Sequence, residues 1–420
     1  MGFLTSLFCL MISSPDTIYL NLNQALQIAL KQSPHAAEAG ASRLQSWLAL
    51  GQGANGVLPT PQANITRTKE ISGATLWSST VTINQVAFDP TVFIGFISSI
   101  VNSRYYSLEA RQKVASLIYQ TTTDYLNLLK AQFILDAAHK ALIRATENLK
   151  YATERYRLGQ TTRIDLLQSE VFFSQAKLNL LNAQKGVALA QEKFRATVGI
   201  TRTDPIWATE ELLAPAEFPI SDADSLLWVI ERTNPNVQMN QHINTVAHLN
   251  LGAAFARILP SISFYRTWTT LDTAFPKSYP IWKEKMVSTD GIRLSFSLVD
   301  IKSFLLSLGD AIAGFRRSRA TLARTRFQLR AAVQSALFDL EEAKLRYTEA
   351  KRNLELNQEL YDIALIQYRI GGISLNDLLA VEVNLAQAEA SYLAALCDTY
   401  SQVAQIGYLL GQTDISVWKK

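Results

Sequence analysis

Apolar positions follow two different spacings along this chain. Over most of its length they recur at helical period, and in two windows the period drops to two. Ala25, Leu26, Ile28, Ala29 and Leu30 form one amphipathic stretch before Ser33-Pro34, and Leu226, Leu227, Val229 and Ile230 form another before Asn234-Pro235. Proline suits the first turn of a helix, so Pro34 and Pro235 each predict a new helix start. These helices run to Val57-Leu58-Pro59 and Ile258-Leu259-Pro260, and the interval between the copies is constant (235 − 34 and 260 − 59 are both 201). Beyond each Leu-Pro, alternation takes over. Val81 and Ile83 alternate with Thr80, Thr82 and Asn84, while Ile262 and Phe264 alternate with Ser261, Ser263 and Tyr265. Ile292, Leu294, Phe296 and Leu298 alternate with Arg293, Ser295 and Ser297. Two strands are expected within 61–87 and two within 260–299, each near the ~9–11 residues that cross a bilayer. The connecting segment 273–282 holds Phe275, Tyr279 and Trp282, with Trp268 nearby, and aromatic residues at strand ends suggest an interfacial girdle. A soluble sandwich hairpin shows the same alternation.

After each strand pair the helical period returns, over 90–158 and 309–370, with no proline or clear stop inside. Helices of that length need partners along their whole extent. The partner segments, 161–199 and 374–411, carry heptads. Leu166, Phe173, Leu180, Val187 and Phe194 are interleaved with Ala176, Ala183 and Ala190. Leu378, Leu385, Tyr392 and Ile406 are interleaved with Val381, Ala388, Ala395 and Leu409. Large residues facing small ones make a knobs-into-holes seam. Between the long helix and its partner stands Tyr156-Arg157-Leu158-Gly159 in one copy and Tyr368-Arg369-Ile370-Gly371 in the other. The offset of 212 also relates Asp165 to Asp377, Ala176 to Ala388 and Gly199 to Gly411. The chain is therefore a tandem repeat, 17–218 and 219–420, each with a helix, two strands, a long helix and a return helix.

Composition adjusts this picture in a few places. The 420 residues are 48% hydrophobic and 18% charged, with a net charge of +4, and the mean hydropathy is +0.05. No apolar run approaches ~20 residues, so any membrane crossing falls to the strands. Residues 1–16 hold Leu7-Phe8-Cys9-Leu10-Met11-Ile12 followed by Ser13, Ser14 and Pro15, which reads as a signal peptide, whole or truncated at its start. A buried N-terminal strand is the other reading. If Cys9 leaves with that segment, Cys397 stands alone, which is neither a disulfide framework nor a metal site.

Other chemistry is weakly signalled. Gly51-Gln52-Gly53-Ala54-Asn55-Gly56 matches a dinucleotide fingerprint but follows a helix and precedes a strand, the reverse of what phosphate binding requires, and reads instead as a loosened helix end. Arg316, Arg317, Arg319, Arg324, Arg326 and Arg330 are a solvated face or a basic zone lining a lumen. His35, His139, His242 and His248 do not share a spacing that would hold a metal. No nucleophile elbow, phosphate loop or zinc helix is present, so no catalytic residue, cofactor, metal or nucleic acid is expected.

Four strands leave two open edges, which lipid does not tolerate, so the chain is expected to oligomerise. Two copies would give eight strands with a filled interior, and three would give twelve around an aqueous bore. The duplicated Tyr-Arg-x-Gly, the Asp165-Leu166-Leu167 and Asp377-Leu378-Leu379 that follow it, the two Leu-Pro junctions and the closing Gly199 and Gly411 together resemble the TolC-like outer-membrane efflux proteins. The resemblance implies a mixed α/β membrane protein, with long antiparallel coiled-coil helices forming an α-barrel. Four transmembrane strands per chain would join a trimeric twelve-stranded β-barrel in the outer membrane of a Gram-negative bacterium. It implies a passive exit duct of a tripartite pump or a type I secretion system. The partners would be a periplasmic adaptor, an inner-membrane transporter and outer-membrane lipid. Tyr156, Asp165, Tyr368 and Asp377 become candidates for a periplasmic gate. Arg157, Leu158, Gly159, Arg369, Ile370 and Gly371 become candidate adaptor contacts at the hairpin tips, although the glycines are equally explained as helix caps. Two positions depart from the family's pattern: Ile373 where an arginine is expected and Ala380 where an acid is expected. The competing function is a coiled-coil periplasmic scaffold without a channel.

Overall fold

The computed structural model describes residues 17–69, 75–202, 204–209, 223–273, 283–295 and 301–413. The signal segment 1–16 and the residues Phe275, Tyr279, Trp282, Phe296 and Leu298 lie outside them. The described elements run β1 (Ile18–Leu20), α1 (Leu22–Gln32), α2 (Pro34–Val57), β2 (Thr60–Lys69), β3 (Thr75–Phe88), α3 (Pro90–Arg157), α4 (Arg163–Val198) and β4 (Ile206–Ala208). The second copy supplies α5 (Ala223–Thr233), α6 (Pro235–Ala256), β5 (Ser261–Asp272), β6 (Val287–Ser295), α7 (Ile301–Arg369) and α8 (Leu375–Leu409). Helices α3 and α7 have 68 and 69 residues, each about 100 Å of helix. No described helix is long and apolar enough to cross a membrane.

Pro34 and Pro235 occupy first helical turns, and Asn234 caps α6 by accepting from the N–H groups of Asn236 and Val237. The second long helix begins at Ile301, earlier than the 309 expected from Gly309. A helical glycine costs only about 1 kcal/mol against alanine, and the Phe304-Leu305-Leu306 run carries the helix through it.

The chain forms two compact units, and neither is one of the sequence repeats. The first holds the described parts of Met1–Glu38, Lys113–Ile230 and Arg330–Lys420. Its core gathers Leu20, Leu26, Tyr125, Leu128, Phe194, Val198 and Ile206. There β1 pairs in parallel with β4, and the Tyr125 hydroxyl donates to Leu20 O at 3.2 Å. This two-strand ladder is unforeseen in the sequence, because three residues carry no periodicity. The heptad seams of α4 and α8 turn inward as expected, with Leu166, Ala176, Ala183, Val187 and Phe194 buried on one and Leu378, Leu385, Ala388, Ala395, Ile406 and Leu409 on the other. Asp124, also buried, pairs with Lys193 Nζ at 2.9 Å and accepts from the Thr197 hydroxyl at 2.6 Å. Cys397 is buried on α8, and burial pushes its thiol up to about 12.

The second unit, Ala39–Gln112 and Glu231–Leu329, contains one antiparallel sheet in the order β2-β3-β5-β6. Its register sorts the side chains. Val81 lies opposite Ala63 and Trp268, Ile83 opposite Pro61 and Arg266, and Phe264 opposite Ile292. One face carries Ala63, Ile65, Val81, Ile83, Phe264, Trp268, Ile292 and Leu294, with Arg67, Gln85, Arg266 and Asp290 among them. The other carries Gln62, Asn64, Thr66, Thr80, Thr82, Asn84, Ser263, Thr267 and Thr289, with the Thr82 and Thr267 hydroxyls 3.1 Å apart. Most of the aliphatic side chains thus gather on one face and most of the hydroxyl and amide side chains on the other, a pattern that membrane-barrel strands share.

The glycine-rich end of α2 is helical throughout, which corrects the loosened-end expectation. A Cβ at Gly53 would come within 1.8 Å of Ser99 Oγ and 2.5 Å of Ser99 Cβ on α3. The glycine is there so that the two backbones can approach. Gly53→Ala is expected to cost about 1–3 kcal/mol through overpacking, whereas Gly51→Ala, which meets nothing within 4 Å, should leave the thermal midpoint unchanged or higher. Equal midpoints for the two variants would contradict the close approach.

Candidate functional site

Both hairpins turn by the same device. Gly159 has φ of 68°, its N–H donates to Tyr156 O at 3.0 Å, and Gln160 N–H donates to Arg155 O at 2.8 Å. Gly371 has φ of 81°, donates to Tyr368 O at 3.1 Å, and is followed by Gly372 N–H donating to Gln367 O at 2.8 Å. This paired closure is a Schellman motif, whose left-handed position excludes most L side chains.

Each return helix starts on a capping box. The Thr162 hydroxyl accepts from Asp165 N–H at 3.2 Å, while one Asp165 carboxylate oxygen accepts from Thr161 Oγ1 at 2.7 Å, Thr162 N–H at 3.0 Å and Thr162 Oγ1 at 2.8 Å. Ser374 and Asp377 repeat the arrangement, with the carboxylate accepting from Ser374 N–H at 3.1 Å and Ser374 Oγ at 2.7 Å. Hydrogen bonds from Thr161 and Thr162 hold the Asp165 carboxyl below its ordinary value, and those from Ser374 do the same for Asp377. The two acids therefore anchor helix starts, a role their sequence spacing from Thr162 and Ser374 encodes.

The duplicated tyrosines do not share an environment. Tyr368 is 4% exposed and Tyr156 is 39% exposed. Tyr368 meets Tyr151 edge to face at 5.6 Å, and the Arg155 guanidinium covers both rings at 5.7 and 5.8 Å. Burial raises the Tyr368 hydroxyl's pKa, with Arg155 opposing. Tyr156 has only Arg163 over its ring, at 5.8 Å. Tyr368 also joins Ala364, Leu375, Leu378 and Leu379 in an apolar cluster against which Ile373 and Phe172 pack. An arginine at 373 would put its charge beside that cluster, which accounts for the aliphatic residue there. At the outermost points Leu158 and Ile370 are 69% and 78% exposed, beside the exposed Arg157 and Arg369. Arg157 reaches Glu154 at 3.2 Å.

Three charged residues that the motif search passed over meet behind the tips. Arg144 of α3 lies 3.5 Å from both Glu382 and Glu389 of α8, and Asn148 donates to Glu382 at 2.8 Å. Their signal was the seven-residue spacing of the two glutamates, one position off the seam, where an acid ordinarily faces solvent.

Residues 229–412 match the outer membrane efflux protein family. The chain is 23% identical over 359 residues to the outer membrane efflux protein BepC of Brucella suis, covering 80% of this chain and 74% of that one. In structure it is similar to the CmeC outer membrane channel of Campylobacter jejuni, with a TM-score of 0.80 at 16% identity, covering 95% of this chain and 89% of that one. It is similar also to the open state of the MtrE outer membrane channel of Neisseria gonorrhoeae, at 0.78 and 18%, over 94% and 89%. The fold is thus that of an outer-membrane channel subunit, a helical barrel wall joined to barrel strands. The family match falls on the second half of the chain, and the fold shared with these outer-membrane channels extends over nearly all of it.

Removing either N-cap hydroxyl should loosen the matching tip. Thr162→Ala and Ser374→Ala are each expected to cost about 1 kcal/mol, read as faster amide exchange over the first turn of α4 or α8. The contribution of Asp165 and Asp377 is present above the ordinary 3.8 and is lost as pH falls through their lowered values. Tip exchange should therefore accelerate only under strong acid, and acceleration already at pH 5 would count against the capping role.

Proposed function

We propose that three copies of this chain close into a twelve-stranded barrel continued by a helical duct, a passive conduit for small molecules or polypeptides. The observation that carries this reading is the sheet. It has one face richer in aliphatic side chains, one richer in hydroxyl and amide groups and, among the described residues, outer strands β2 and β6 that pair on one side only. A membrane leaves such edges no partner but another copy, and three copies leave a bore where two would not. Exposed apolar rows support the same assembly along the helices. Val171, Leu178 and Leu189 line one side of α4, and Phe338, Leu345, Leu356 and Ile363 line one side of α7, at steps of seven and eleven. Those steps keep a row on one helix face.

The gate is proposed at the hairpin tips. Tyr368 with Arg155, and Asp165 with its threonines, hold the ends of α7 and α4. Tyr156 takes the equivalent place at the end of α3 and Asp377 at the start of α8, each on a more exposed footing than its counterpart. Because Ile373 packs into an apolar cluster, closure here would rest on side-chain packing more than on an arginine bridge. Arg157, Leu158, Gly159, Arg369, Ile370 and Gly371 present a charge and an aliphatic knob at each tip, a surface suited to an adaptor's helical hairpin that connects the duct to an inner-membrane transporter. A pump for small molecules and a type I secretion system would use the same tips.

Purified protein in detergent should have the mass of a trimer and give discrete, small conductance steps in a planar bilayer, enlarged by Tyr368→Phe combined with Asp165→Asn. A bilayer-silent soluble species would overturn the duct in favour of a periplasmic scaffold. Gly371→Val, which forces a branched side chain into the left-handed region, is expected to reduce cross-linking to the adaptor several-fold at unchanged trimer yield. Undiminished cross-linking would remove the tips from the docking surface.

A further inference from the structure

Behind the tips lies a buried charge cluster with no part in capping or in the heptad seam. Glu382 is 1% exposed, and Asn148 faces it from α3. Both are 11 positions from their hairpin's glycine (382 − 371 and 159 − 148), roughly 16 Å of helix. The guanidinium of Arg144 is shared between Glu382 and Glu389, at 3.5 Å from each, and also lies over the Tyr361 ring at 5.7 Å. None of the four atoms in those two ion pairs makes a hydrogen bond. Other charged or titratable groups around Glu382 are Glu147 of α3 and Tyr361 of α7, with Asp362 beside Tyr361. Helix α4 brings Phe172, Gln175 and Ala176 to the adjoining cleft, none of them charged. Two carboxylates thus divide one cation in a largely enclosed place, fully buried at Glu382 and partly exposed at Arg144 and Glu389, with a third carboxylate adding to the excess. Long ion pairs without hydrogen bonds repay little of the desolvation.

We propose that this cluster is a proton-set latch between the stems of the two hairpins, in which α8 packs tightly on α3 while Glu382 is neutral and loosens there when Glu382 ionises. Burial pushes the Glu382 carboxyl up to about 7 from an ordinary 4.5, with Arg144 and Asn148 offsetting only part of the effect. In any state that admits water the carboxyl returns toward 4.5. The closed packing therefore holds more protons between these values, and opening grows roughly tenfold per pH unit from about 4.5 to 7, levelling above. The latch concerns the helices of one chain and does not rest on the duct reading.

Amide exchange on the full-length protein in detergent tests it, with peptides from 141–152 and 378–390 followed from pH 5 to 8 and corrected for intrinsic exchange. Wild-type protection is expected to fall about tenfold per unit and to level near pH 7, while Glu382→Gln, which cannot ionise, stays protected throughout. A flat wild-type profile, or the same slope in the variant, would overturn the latch. Glu389→Gln leaves Arg144 wholly to Glu382 and should move the levelling point to lower pH. Should Glu382→Gln fail to fold, an unmoved levelling point in Glu389→Gln overturns the proposal by itself. A bilayer-silent protein that still shows the exchange slope would sink the duct and keep the latch.

Discussion

A backbone N–H or C=O facing hydrocarbon with no partner costs several kcal/mol, and the two outer strands of the sheet carry rows of such groups. Every larger feature of the chain is arranged around that constraint. In the proposed assembly the sheet is continued by another copy, so the helices leading from it also meet other copies, and their exposed apolar rows suit that role. The alternation of hydroxyl and aliphatic side chains across the register follows from the same setting. A strand that closes a barrel in lipid faces hydrocarbon on one side and water on the other.

The second constraint is length. A helix of 68 or 69 residues is stable only if its apolar stripe is covered throughout, and one return helix of 36 or 35 residues covers about half of it. The rest is taken up in the other compact unit, where α2 and α6 are found. Each turn between a long helix and its return must then be sharp and must fix the register of the seam. The Schellman glycine ends one helix at a set residue, and the capping box starts the next four residues later in both copies. Together they leave the seam no freedom to slip.

How much of this could be read from residues alone depended on the range of the interaction. Local devices were legible: Pro34 and Pro235 start helices, and the alternation around Val81, Ile83 and Phe264 marks strands. The heptads of α4 and α8 and the repeat offset were equally plain. Features that depend on a distant neighbour were not. Gly53 looks like a helix breaker until Ser99 is seen against it. Tyr156 and Tyr368 sit in copies of one motif, yet only Tyr368 meets Tyr151 and Arg155, because the two hairpins have different neighbours. Glu382 and Glu389 occupy a flanking heptad position that usually faces water, and only the placement of Arg144 shows that they are enclosed. The β1–β4 ladder is too short to have a pattern.

One quiet feature has a practical consequence. Cys397 is buried against the seam of α8 with its thiol held far from ionisation, and the thiolate is the form that reacts with alkylating reagents and disulfides. The folded chain therefore offers an almost silent chemical background along its described residues. A cysteine introduced at Leu158 or Ile370 would take up a maleimide probe without first replacing Cys397, so distances between hairpin ends could be followed spectroscopically in otherwise native protein.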